Sequence, residues 1–268
     1  MGPANTIRGK KLGEFIDSHD VVVRLNHAWP LPEEAKEDIG TRTDVIYHNL
    51  NPKRAPSRKA VQEMHAAGVK WIVSTHPTSR KHRKRHRPIR FQKRINKGLI
   101  RLTTVSLGFR LAMRRKCGPT NTGILAMAHI LRQGVKSLHV TGFSFFETPY
   151  AEYPGYRKIK PKMALRWHNQ KKHKRYLIRC LAKDKRLSVD PFITQILKRF
   201  CRKHRIRFKS RSRSRSRSSS NKSAHAGSGR RISTYRRRSL RAQLRWRRRR
   251  RLSTRSYYRR LRSRLRAA

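Results

Sequence analysis

The chain has 268 residues, with 71 Lys+Arg against 13 Asp+Glu and a formal net charge of +58. That length suffices for one α/β domain with a substantial core, and such a charge speaks for polyanionic partners rather than for a fold. No apolar run approaches the ~20 residues needed to span a bilayer, and no apolar h-region opens the chain. The three cysteines, Cys117, Cys180 and Cys201, offer neither a disulfide framework nor a zinc set, though they leave room for one bridge. The histidines show no HExxH or Cys-His ligand spacing, so no metal is assigned.

The charge is unevenly spread. All 13 acids lie at or before Asp190, whereas residues 202–268 hold 28 Lys/Arg and no acid. Residues 1–13 form a glycine-punctuated polar loop. In residues 14–26 the run Val21-Val22-Val23 is the kind of short β-branched stretch that a buried strand uses. A Pro- and acid-rich loop follows. Residues 44–48, DVIYH, give a second strand.

Ser57 is placed as the N-cap of a helix over 58–67, which Gly68 stops. KWIVST, residues 70–75, is a third strand. Residues 76–90 are a basic, Pro-bounded loop, and residues 98–105, GLIRLTTV, a fourth strand. A short helix over 109–116 leads into residues 119–143, PTNTGILAMAHILRQGVKSLHVTGF. Here a polar loop opens an apolar helix, and residues 137–141 return as a strand that closes on Gly142-Phe143. Backbone N–H groups at such a helix start attract anions.

An aromatic loop follows. Residues 164–184 read as a helix, at least in the second half. Residues 190–200 are a last helix with Asp190 as N-cap and Pro191 in the first turn. Strands separated by helices predict an α/β fold: a single Rossmann-like domain with a mostly parallel sheet flanked by helices. The domain is placed at residues 1–201. Residues 202–268, with the run SRSRSRSRSSS and repeated arginine clusters, have too few apolar groups to offset chain entropy, and form a disordered Arg/Ser-rich basic tail.

Three blocks resemble the sialyltransferases of glycosyltransferase family 29, in that family's order. Residues 2–49 resemble the large sialylmotif through IDSHDVVVRLN and GTRTD, the latter containing Gly40, Arg42 and Thr43. Residues 119–143 resemble the small sialylmotif, and His168 to His173 the very short motif, His-x4-Glu. The resemblance covers roughly residues 2–190. It implies a GT-A-variant fold and transfer of sialic acid from CMP-sialic acid to a glycan hydroxyl, with inversion and without a metal or other cofactor. The absence of a DxD motif agrees with that.

By the same resemblance, Asn5 and Asn26 contact the CMP part, and Thr120, Asn121, Thr122 and Gly123 bind ribose and phosphate. Tyr153, between Tyr150 and Tyr156, is a candidate for holding phosphate. His168 is the general base, since imidazole titrates near neutral pH. Arg24 and Arg42 either steady the sheet or meet the donor carboxylate. Donor and glycan acceptor are the implied partners, and the Golgi is the implied compartment; with no anchor in this sequence, a complete chain would lie in the cytoplasm or nucleus.

Some positions depart from the family pattern. His173 stands where the family has Glu, PTNTG is one residue longer than the usual Pro-Ser-Thr-Gly, and no cysteine precedes Cys117 to make the family's inter-motif disulfide. In the family an apolar strand runs into the first glycine. Without one, the sheet is expected to present an unpaired edge beside the donor site. The competing function is a decayed glycosyltransferase domain carrying a nucleic-acid-binding tail. Arginine clusters neutralise phosphates in a sequence-independent, salt-sensitive way, and Trp246, Tyr257 and Tyr258 are placed to stack on bases.

Overall fold

The computed structural model describes residues 1–26, 28–29, 31–52, 55–76, 87–149 and 168–208. The strands are β1 (Val23–Leu25), β2 (Val45–His48), β3 (Trp71–Ser74), β4 (Arg101–Thr104), β5 (Leu138–Val140) and β6 (Leu187–Val189). The helices are α1 (Gly13–Asp17), α2 (Lys36–Ile39), α3 (Arg58–Ala66), α4 (Arg87–Phe91), α5 (Leu107–Cys117), α6 (Thr122–Ile130), α7 (Gln170–Lys183) and α8 (Pro191–Lys203). Five of the described helix starts follow their capping chemistry. Side chains of Ser57, Ser106, Asn121, Asn169 and Asp190 accept from the N–H groups of Ala60, Phe109, Ile124, Lys172 and Ile193, at 3.1, 3.2, 2.8, 3.0 and 2.7 Å.

Every described strand pair is parallel, as the alternation of strands and helices predicts. The strands make two sheets rather than one, β1-β2-β3-β4 and β5-β6. Between them lie the first residues of the chain. The Met1 ammonium donates to Val23 O at 2.7 Å. Gly2 N–H donates to Thr141 O at 2.8 Å and Ala4 N–H to Gly142 O at 2.9 Å. Among the described residues, these backbone bonds link the β1 side to the β5 side, and the rings of Phe15 and His19 also meet His139 of β5.

Side chains alternate across a strand, and each face of the larger sheet has its own core. Leu25, Tyr47 and Val73 pack with α5, α6, α7 and α8 in one cluster, joined by Ile206 and Phe208. Ile46 and Ile72 pack on the other face with Val61, Met64 and Phe91. Strand β1 begins later than the Val21–Val23 run suggests: Val21 is 55 % exposed. The Asp44 carboxylate takes Val22 N–H at 2.8 Å, so the ladder opens at Val23, opposite Val45. Strand β6 pairs with β5 but carries no sequence signal of its own, being three residues between two helices.

Candidate functional site

Much of the first motif proves to be scaffold. The Asp17 carboxylate accepts from Thr41 N–H at 2.7 Å, Thr41 Oγ1 at 2.9 Å and Arg42 N–H at 3.1 Å. The Arg42 guanidinium returns to the carbonyls of Asp17, His19 and Asp20, at 2.6, 2.9 and 3.1 Å, and to Asp44. Partial burial pushes the Asp17 carboxyl up, but the hydrogen bonds to its charged form from Thr41 and Arg42 together outweigh it and hold the carboxyl below its ordinary range. Arg24 is fully buried. It donates to Thr43 Oγ1 at 2.8 Å and to the carbonyls of Ile39, Gly40 and Arg42 at 2.7, 3.3 and 3.0 Å. Of the two roles open to Arg24 and Arg42, these bonds are those of the first, steadying the sheet and its loops. A side chain at Gly40 would run into the Asp17 carboxylate.

The residues that converge sit around the loop 118–123. Asn26 follows β1 with φ of 48°, a left-handed conformation that Asn tolerates better than most residues. Its Oδ1 accepts from Thr122 Oγ1 at 3.3 Å, across 96 residues of sequence, and from Asn49 N–H at 3.3 Å. Carboxyl ends of parallel strands are where ligands of open α/β sheets gather. Asn121 Oδ1 is spent on capping α6, so Thr120 and the N–H groups of the first turn are what the helix start offers an anion. Gly123 is buried beneath Phe143 and Leu25, and a Cβ there would overlap the Phe143 ring. Asn5 lies in the 3₁₀ turn Asn5–Ile7, and its N–H reaches Pro149 O at 3.2 Å.

On the other side of the loop stand two imidazoles. His173 lies in the first turn of α7, fully buried, with Nε2 3.1 Å from Pro119 O. The same carbonyl is a hydrogen-bond partner of His168. A carbonyl only accepts, so each ring presents N–H to it and keeps a bare lone pair on Nδ1. Both Nδ1 atoms are buried and unpartnered among the described residues. Burial pushes the His168 pKa down, opposed by the Pro119 bond. It lowers His173 to about 4, again mainly by desolvation. Both rings are therefore neutral at pH 7.

The His168 ring stacks on Phe146 at 5.8 Å and 5°. Phe145 and Phe146 have φ of 53° and 62°, an uncommon conformation for large side chains. Just after them, Glu147 is bonded by Lys174 and Arg199. The Phe146 stack, the Glu147 ion pairs and the Pro119 carbonyl have no local sequence signal; only the loop's position after Gly142-Phe143 hinted at them. Tyr153, Tyr150 and Tyr156 lie outside the described residues. Cys117, Cys180 and Cys201 are free thiols, and burial raises Cys117 to about 11. Among the described residues no cluster of His, Cys, Asp or Glu has metal-ligand geometry, and no helix is long and apolar enough to cross a membrane.

Comparison with known proteins bears on the segment that supplies Asn5 and Asn26. Residues 1–98 match the model of glycosyltransferase family 29 (sialyltransferase). No curated protein matches the chain. Among solved structures, the crystal structure of a mammalian sialyltransferase in complex with Gal-beta-1-3GalNAc-ortho-nitrophenol is similar over 70 % of this chain and 66 % of its own. The identity is 16 % and the TM-score 0.45, so this chain spans just under two thirds of that protein's length. The family 29 segment ends before β4, and the small-motif loop and both imidazoles lie beyond it.

Proposed function

We propose that this protein is a sialyltransferase, moving sialic acid from CMP-sialic acid to a glycan hydroxyl with inversion and without a metal. The observation that carries this is convergence on one loop. Asn26 of the family 29 segment bonds Thr122, and His173 bonds Pro119, three positions earlier in the chain. Three blocks spread over some 170 residues of sequence therefore meet where the strands end.

In this reading CMP lies against Asn5, Asn26 and the start of α6, where Thr120, Thr122 and Gly123 offer hydroxyls and N–H groups to ribose and phosphate. The acceptor hydroxyl oxygen attacks the anomeric carbon from the face opposite CMP. The bond to the CMP phosphate breaks, its electron pair leaving on the phosphate oxygen, and the hydroxyl proton passes to the His168 ring. A base needs a neutral ring within reach of that proton, and the lowered pKa of His168 supports the neutral form. His173, in place of the family's carboxylate, holds the Pro119 carbonyl without adding charge. Membership of that family's compartment, the Golgi, goes with this reading. Residues 202–268 are proposed to bind nucleic acid or another polyanion through their 28 Lys/Arg.

The test is CMP binding and label transfer by the full chain. His168→Ala is expected to keep the thermal shift given by CMP and to lose transfer by 10²-fold or more, the size of a general-base contribution. Asn26→Ala is expected to lose the CMP shift. Transfer that survives in His168→Ala removes the base assignment, and a wild-type chain that neither binds CMP nor transfers label removes the enzyme. Deleting 202–268 is expected to abolish salt-dependent RNA or DNA binding; unchanged binding excludes the tail as its source.

A further inference from the structure

Among the described residues, nothing pairs with the far edge of the larger sheet, and its backbone is only partly spoken for. Strand β4 pairs with β3 alone. Along a parallel strand, alternate residues turn both their N–H and their C=O to the same side. Val105 N–H donates to Ser74 O at 3.0 Å, so Arg101, Thr103 and Val105 face β3, and Ile100, Leu102 and Thr104 face outward. Ile100 is already served. The buried Asn96 side chain donates to Ile100 O at 2.6 Å and accepts from its N–H at 3.0 Å, standing in for a neighbouring strand. Leu102 and Thr104 have no such partner among the described residues.

A groove of about 550 Å³ runs beside these two residues, between β4 and α4 with the turn after it. Pro88, Ile89 and Leu102 line it with Lys93 and Arg101. Of the exposed cations in this segment, Lys93 lines the groove, while Arg90, Arg94 and Lys97 lie nearby in sequence, and residues 64–146 contain no Asp or Glu. Exposed edges are usually blunted by charges laid across them. Here Arg101, the cation on the strand itself, is folded back over the Trp71 ring at 4.1 Å, away from that duty.

We propose that the β4 edge is a docking site for an extended acidic peptide of a partner protein, which adds as a fifth strand. Its backbone bonds the N–H and C=O of Leu102 and Thr104, as in strand addition generally. Its carboxylates meet Lys93, and an apolar side chain enters the groove beside Ile89. The site lies on the edge opposite the gap that Met1 bridges, and it is independent of the donor loop.

The probe is a fluorescein-labelled octapeptide of alternating valine and glutamate, read by anisotropy on the full chain at 150 mM salt. A second peptide of the same sequence, N-methylated at every amide, has equal charge but no N–H with which to extend a sheet, so attraction to the basic tail cancels between the two. The unmethylated peptide is expected to bind at least 10-fold more tightly. Thr104→Pro removes one outward donor and leaves the ladder to β3 intact, and is expected to erase that difference; Lys93→Glu is expected to weaken binding by a similar factor. Thermal unfolding of each variant checks the fold. Hydrogen exchange provides a second readout, with the Leu102 and Thr104 amides slowed by peptide. Equal affinity for the two peptides, or no added protection at those amides, overturns the proposal and leaves a basic surface that takes any polyanion.

Discussion

Replacing His173 by glutamine tests the account of the buried imidazole most directly. An unfolded histidine takes a proton near 6.5, whereas His173 holds off until about 4. Below pH 6.5 the unfolded chain binds a proton that the folded chain refuses, so stability falls as pH falls, through to about pH 4. At ~1.4 kcal/mol per tenfold change, the full window is worth ~3 kcal/mol, and about 2.5 kcal/mol is lost between pH 7 and 4.5. Glutamine keeps an N–H for Pro119 O and cannot titrate. Urea unfolding at pH 7, 6, 5 and 4.5 measures the slope in both proteins. Other histidines contribute to both slopes alike, and the difference belongs to residue 173. The variant is expected to be flatter by ~2–2.5 kcal/mol over that range. Parallel curves would refute the claim that this ring is buried and neutral.

Two further substitutions probe the walls of the site. Gly123→Ala puts a methyl group into the Phe143 ring and is expected to cost ~1–3 kcal/mol by overpacking, seen as a lower urea midpoint. Arg24→Met removes a buried cation that serves the backbone of Ile39, Gly40 and Arg42. The expected loss is ~1–3 kcal/mol for the buried acceptors left unbonded, and Arg24→Lys is expected to restore little of it, because an ammonium cannot span those acceptors. Wild-type stability in Arg24→Met would mean the large motif's arginine is not the strut described.

The order of elements could be read because local chemistry set it. Ser57 and Asp190 cap helices where short polar side chains precede apolar periodicity, and the strands over DVIYH and KWIVST lie within a residue of their place. The meeting of Asn26 with Thr122 was legible only through the resemblance, since nothing in either segment points at the other. What stayed hidden depends on distant partners. The split into two sheets is decided by hydrogen bonds between residues 1–4 and both strand edges. The shared Pro119 carbonyl is a backbone atom, invisible to any reading of side-chain types. Phe145 and Phe146 adopt positive φ against their own preference, held by the packing around His168 rather than by their sequence.

The four residues spanning the gap between the sheets have a mechanical consequence. Met1, Gly2, Ala4 and Asn5 are tied in turn to Val23, Thr141, Gly142 and Pro149, and a side chain at Gly2 or Gly142 would strike the facing carbonyl. This stretch is a keystone between two half-arches: it has no slack to slide in either direction. Asn5, at its end, takes its position from both halves at once. A change on the β1 side or the β5 side displaces it without touching it.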